Sequence, residues 1–186
     1  MADGGCQVQD EEGLVRRAQQ NDTQALTGLY EQYFDRVFRY VVIKVGNRLD
    51  AEDITAQVFV RVVQSLPSYK ARGVPFSAWI FRIARNLVID HVRKKSTRVE
   101  VPLMDIDLPG GDDPTKLADN KIAFEQVAQA VTLLTKSQRE VIELRFGADL
   151  SIIDTAKIMG KSEGAIKALQ HSALQALRKK FVDKKP

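Results

Sequence analysis

The chain has 186 residues, 44% hydrophobic and 28% charged, a balance that supports packed cores and excludes a mainly disordered polymer. Its single cysteine, Cys6, excludes an intrachain disulfide framework and a Cys-based zinc site. No run approaches the ~18 apolar residues of a membrane span and the N-terminus lacks a signal-peptide pattern, so the expectation is a cytoplasmic protein without membrane insertion.

Charge alternates along the chain. Residues 72–98 carry Arg72, Arg82, Arg85, Arg93, Lys94, Lys95 and Arg98 against Asp90 alone, and the residues from Lys161 onward form a second basic block. Between them, Glu100, Asp105, Asp107, Asp112, Asp113 and Asp119 face only Lys116. The net charge of +4 fits a polyanionic partner, although charge runs are equally the solvated faces of ordinary helices.

Apolar periodicity is helical throughout, with no hairpin signal, which predicts an all-α protein of two small helical domains. A first helix is expected over residues 11–20. Asp22 then caps a long one whose stripe is Leu26, Leu29, Tyr30, Tyr33, Val37, Tyr40 and Val41, ended by Gly46 and Asn47. Asp50 is expected to start a third helix, with Ile54, Val58, Val62 and Leu66 on one side and Pro67 closing it. After a loop from Pro67 to Gly73, Pro75 suits the first turn of a fourth helix, in which Phe76, Ile80, Ile83, Leu87 and His91 or Lys94 recur.

These elements give a first domain over residues 10–95. Residues 96–120, with three prolines and a Gly-Gly pair, predict a flexible acidic linker. A second domain over 121–183 is expected to hold helices at 122–134, 137–146, 151–159 and 162–181, the second introduced by a capping box of Thr135 and Gln138.

Within the second domain, Ala156, Gly160 and Ile166 supply the small residue, the turn residue and the buried apolar residue that a helix-turn-helix needs. At 100° per residue, Ile166, Leu169, Ala173, Leu177 and Phe181 fall on the buried side of the last helix. Gly164, Lys167, Ala168, His171, Ser172 and Gln175 fall on the other. Lys167, His171 and Ser172 can donate to phosphates or base edges, and Gly164 and Ala168 allow close approach to a groove. Spacing alone also permits a purely structural helical pair. Gln170, at the edge of the apolar stripe, needs a hydrogen-bond partner if buried.

On the fourth helix of the first domain, Trp79, Arg82, Asn86 and Arg93 share a stripe with Arg85 on its flank. Cation, aromatic and amide on one face suit single-stranded or melting DNA, with an indole as wedge and Asn reading a base edge. The alternative is a core tryptophan with arginines solvating the opposite face.

Four stretches in order resemble the extracytoplasmic-function sigma factors: DAEDITAQVF at 50–59, FSAWIFRIARNLVIDHVR at 76–93, LTKSQREVIELR at 134–145 and SEGAIK at 162–167. The resemblance implies that the chain binds core RNA polymerase and directs it to promoter DNA. The polymerase contacts would come from the helix around Asp50, Glu52, Asp53, Gln57 and Arg61. Minus-10 recognition and melting would fall to Trp79, Arg82, Arg85, Asn86 and Arg93, with the loop from Pro67 to Gly73 helping to hold a flipped base. Minus-35 contacts would come from Lys161, Lys167, Ala168, His171 and Ser172. It also implies an anti-sigma factor as inhibitor. The sequence has no phosphate-binding Gly-Lys loop, no His-Glu-x-x-His and no nucleophile constellation, so no enzymatic activity is expected, and nothing in it calls for a metal or other cofactor. The chain departs from the usual pattern at Ala56-Gln57, Leu134-Thr135 and Leu169-Gln170. The competing function is a helix-turn-helix regulator that binds duplex DNA unaided.

Overall fold

The structure, a computed structural model, describes residues 11–71, 73–96, 131 and 133–182. Every regular element among them is helical. Nearly all of the linker expected over 96–120, most of the helix expected over 122–134, and Cys6 lie outside the described residues. The chain divides into two compact units, Met1–Asp105 and Ile106–Pro186.

In the first unit, α1 (Glu11–Gln19) turns into α2 (Thr23–Val45) across Asp22. As expected, Asp22 is the N-cap of α2, its carboxylate accepting from the N–H groups of Gln24 at 2.9 Å and Ala25 at 3.2 Å. Arg17 donates to the other carboxylate oxygen at 2.8 Å, so one side chain fixes both helix ends. The Arg17 hydrogen bond and the cap amides hold the Asp22 carboxyl below the usual carboxylate range.

Gly46, at φ 70°, ends α2 in the left-handed region, which glycine enters without a Cβ clash. The chain reverses so tightly that Asn47 starts the next helix instead of ending the previous one. Its side chain accepts the Asp50 N–H at 3.0 Å, and α3 spans Arg48–Ser65, two residues earlier than the expected start at Asp50. Nor does Pro67 stop the chain outright. It sits at the start of a 3-10 turn, Leu66–Ser68, where its missing N–H costs nothing. After the loop, α4 spans Phe76–Ser96.

The core runs between these helices. Leu29, Tyr33, Val37, Tyr40 and Val41 of α2 meet Ile54, Val58, Val62 and Leu66, and Phe76, Ile80, Phe81, Ala84, Leu87 and Val88 of α4. Tyr40 and Phe81, both fully buried, meet edge-on at 5.7 Å, and burial of each such ring contributes about 2 kcal/mol. Two expected core positions differ. Tyr30 is 45% exposed, its ring lying 4.7 Å from Phe59 at the outer edge of α2 and α3. Of the pair His91 and Lys94, His91 is the half-buried one and Lys94 is exposed.

In the second unit, α5 (Lys136–Ile142) opens on the expected capping box. Thr135 Oγ1 accepts the Gln138 N–H at 3.3 Å, and Gln138 Oε1 accepts the Thr135 N–H at 3.0 Å. It widens into a π-helical turn, Glu143–Gly147, that buries Leu144. Ser151 caps α6 (Ile152–Met159), and α7 spans Glu163–Val182. No helix among the described residues is long and apolar enough to cross a membrane.

Candidate nucleic-acid interfaces

The turn between α6 and α7 is set by three local features. Gly160 adopts φ 63°, and its N–H and that of Lys161 both return to the carbonyl of Ala156, closing α6. Ser162 Oγ accepts the Ala165 N–H at 3.2 Å, opening α7. The Ala156 methyl packs with Val141 and Ile166, and Ile152, Met159 and Leu169 close round them. Ala156 is small enough for the two helices to cross, and Ile166 is wholly buried.

This packing turns the other side of α7 outward. Gly164, Lys167, Ala168, His171, Ser172 and Gln175 are all exposed, as is Lys161 in the turn. Ala173 is fully buried and Leu169 and Leu177 are half-buried, as the helical wheel predicts, while the Phe181 side chain lies outside the described set. Ser172 is not solely outward-directed. Its hydroxyl accepts from Gln138 Nε2 at 2.8 Å, so the capping-box residue of α5 also steadies the exposed helix. The Ser172 proton stays available for donation.

Gln170, which needed a partner, has one. Arg145 Nε donates to its side-chain oxygen at 3.0 Å, and the same guanidinium reaches the Leu150 carbonyl. One arginine thus ties the π-turn, the segment before α6 and α7 together. Periodicity could flag Gln170 as a polar group at a buried edge, but not the donor that answers it.

In the first unit, the α4 stripe presents Arg82, Asn86 and Arg93 as exposed and Arg85 as half-buried. Trp79 is neither a fully buried core residue nor a fully exposed one. It is half-buried, its ring 4.9 Å from Tyr69 and 5.4 Å from Phe76, and it stands one turn before Arg82 on the same stripe. Tyr69 comes from the loop and is 8% exposed, and it donates its hydroxyl to the Val74 carbonyl at 2.8 Å. Burial, with the charges of Glu11 and Glu12, pushes the Tyr69 phenol above its usual range, so at neutral pH it keeps the proton it donates. Sequence periodicity missed Tyr69 because it lies outside any helix.

The five residues expected to face polymerase share α3 but not one environment. Glu52, Asp53, Gln57 and Arg61 are exposed. Glu52 accepts from Arg48 at 2.9 Å across one helical turn. Asp50 instead points along the start of α3 to the end of α4, where Lys95 Nζ donates to it at 2.8 Å and His91 Nε2 lies 3.4 Å away. Lys95 holds the Asp50 carboxyl below its usual range. Among the described residues, no group of three or more His, Cys, Asp or Glu is placed to hold a metal ion.

Two family models match the chain: Sigma-70 region 2 over residues 29–98 and Sigma-70, region 4 over residues 130–179. The chain is 37% identical over 173 residues to the ECF RNA polymerase sigma factor BldN of Streptomyces coelicolor, covering 91% of this chain and 65% of BldN. It is 34% identical over 179 residues to the ECF RNA polymerase sigma factor ShbA of Streptomyces griseus, covering 89% and 92%. The fold is similar to that of the sigma factor RpoE in its complex with the anti-sigma factor NepR from Bartonella quintana. The TM-score is 0.64 at 20% identity, over 86% of this chain and 98% of RpoE. Two helical domains, a helix-turn-helix in the second, and these matches in order lead to one conclusion: the chain belongs to the ECF sigma factors, non-enzymatic proteins that direct RNA polymerase to promoters.

Proposed function

We propose that the two units divide promoter recognition between a helix face for duplex DNA and a helix-and-loop face for melted DNA. The α7 surface of Lys167, Ala168, His171 and Ser172, with Lys161 beside it, enters the major groove at the minus-35 element. Lysine neutralises phosphate, while His171 and Ser172 donate to base edges. The α4 stripe takes the minus-10 element. Arg82, Arg85 and Arg93 bind phosphates of the unpaired strand, Asn86 reads an exposed edge, and Trp79 stacks on a base. The loop over 67–71 and 73 receives a base flipped from the stack.

The observation that carries this reading is the half-buried Trp79 braced on Tyr69 and Phe76 with exposed Arg82 and Asn86 next on its stripe. A braced indole loses little freedom on stacking, which favours its use as a wedge. Glu52, Asp53, Gln57 and Arg61 of α3 supply the polymerase contacts, with Asp50 setting the angle between α3 and α4. The acidic residues of 100–119 occupy, by charge, a polymerase path otherwise open to RNA, and neutralising them changes the ratio of abortive to full-length transcripts. An anti-sigma factor is the partner that holds the chain inactive, and the similarly folded RpoE forms a complex with the anti-sigma factor NepR.

The test is to add the pure chain to core polymerase and a promoter fragment. Specific run-off transcripts are expected, together with a change in Trp79 fluorescence as the promoter opens. Tight, specific duplex binding by the chain alone, without transcripts when polymerase is present, would instead make it an unaided helix-turn-helix regulator. Unchanged fluorescence in a demonstrably open complex would remove Trp79 from the melted site.

A further inference from the structure

Helix α1 lies before residue 29, where the match to region 2 begins, and none of the DNA-facing or polymerase-facing residues assigned above comes from it. It is nevertheless fastened at both ends to the minus-10 apparatus. At its start, Glu11 accepts from the Tyr33 hydroxyl at 2.5 Å, and the Tyr33 ring meets Phe76 edge-on at 5.3 Å. At its end, the half-buried Gln19 reaches the loop that follows α3. Its Nε2 donates to the Leu66 carbonyl at 3.0 Å and to the Tyr69 carbonyl at 2.8 Å.

The geometry matters because a primary amide has two hydrogens in one plane, at a fixed angle. Both are spent on the carbonyls that begin and follow the 3-10 turn Leu66–Ser68, where the loop leaves the helix. Leu66 O also accepts the Tyr69 N–H at 3.0 Å. Beyond the turn, the Tyr69 ring lies against Phe76 at 5.6 Å and Trp79 at 4.9 Å, and its hydroxyl closes on Val74. The loop is therefore held by α1 on its backbone and by α4 on the buried Tyr69 side chain. Loops ordinarily move more than the elements they join, and a loop that selects a base needs its backbone fixed before the base arrives.

We propose that Gln19 is a positioning residue for base selectivity in the minus-10 element, acting through the backbone of the loop at 66–71 and touching no DNA itself. This rests on the reading that the loop receives a flipped base. Gln19→Glu keeps the size but turns two donors into a carboxylate facing two carbonyl oxygens. Gln19→Met removes the donors without adding repulsion, and Gln19→Lys restores a donor. The loop itself is probed by the double substitution Ser68→Ala with Lys70→Ala, both exposed side chains.

Each full-length variant is assembled with core polymerase and transcribed from fragments bearing each of the four bases at each minus-10 position. The loop variant is expected to change preference at one position. Gln19→Glu is expected to cut selectivity at that same position about tenfold, the scale of two lost hydrogen bonds. Gln19→Met should do so by less and Gln19→Lys should recover most of it, with affinity for core polymerase unchanged throughout. Recovery by lysine is what a merely structural role would not produce. If Gln19→Glu does not fold, Gln19→Met carries the comparison. A loop variant that shifts preference beside Gln19 variants that do not overturns this inference and leaves the functional reading standing. Equal preference in all variants overturns both, and a uniform loss at every position together with loss of polymerase binding makes Gln19 structural only.

Discussion

Under the proposed function, the two units solve the same problem, presenting side chains to DNA, with different amounts of structure. In the second, one helix does the presenting, and what positions it is nearby: Gly160 in the left-handed region, Ser162 as cap, and a small cluster of Val141, Ala156 and Ile166. In the first, the presenting surface is composite. Trp79 belongs to α4, rests on Tyr69 from a loop, and that loop is fixed by Gln19 from α1. Duplex DNA offers a regular groove that a single helix fits. A melted strand has no regular shape, and a receiving surface for it has to be assembled from several elements.

The largest expected effect breaks the second unit alone. Ile166 is wholly buried in a small core, so Ile166→Ala costs about 3 kcal/mol by lost transfer energy and an unfilled cavity. For a unit of this size that is a large part of all its stability. Trp79 is the only tryptophan and lies in the first unit, so its fluorescence follows that unit selectively. Heating Ile166→Ala should bring forward helix loss by circular dichroism while leaving the tryptophan transition in place. A tryptophan transition that moves equally would mean the two units unfold as one.

This contrast also explains what the sequence disclosed. The helix-turn-helix, the capping box at Thr135 and Gln138, and the outward set on α7 follow from spacing of a few residues, so they are legible. The two-domain all-helical fold follows likewise from helical periodicity. What escaped is nonlocal or crowded into a junction. Gln19 finds its carbonyl partners 47 and 50 residues away, and no periodicity marks such a pair. Arg145 and Gln170 meet across 25 residues. At the α2–α3 junction both Asn47 and Asp50 are good capping types, and the tight reversal at Gly46 decided for Asn47. Tyr30 fits the wheel of α2 but meets Phe59 at the outer edge.

The next effect sharpens the contrast from the side of the composite surface. Trp79→Ala removes an indole from contact with Tyr69 and Phe76 and, under the proposed function, the wedge for a melted base. The expected result is roughly a tenfold slower approach to the open complex, about 1.4 kcal/mol at the barrier. Minus-35 protection in footprints should persist, because α7 is untouched. Smaller again is Lys167→Ala on α7, an exposed lysine without structural duties in the helix-turn-helix core. It should weaken duplex binding about equally for all sequences and flatten the dependence of log affinity on log salt by about one. A sequence-selective loss would instead place Lys167 against a base.

The smallest effect tests whether the first unit depends on charge at the α3–α4 junction. Asp50, about 30% exposed, accepts from Lys95 and has His91 at 3.4 Å, which adds attraction only when protonated. Lys95 lowers the folded-state pKa of Asp50 relative to the unfolded chain, so the pair contributes stability above the ordinary carboxylate range and loses it as pH falls through the lowered value. The pair is solvent-screened, which limits its worth to about 0.5 kcal/mol. Asp50→Asn should therefore shift the denaturant midpoint slightly downward at pH 7, by an amount that shrinks in high salt and vanishes once the pH has fallen well below the lowered value, where wild type has also lost the charge. A gap that persists in acid would mean that the side chain acts there through packing or the neutral hydrogen bond. The angle between α3 and α4 would then be set by shape and not by charge.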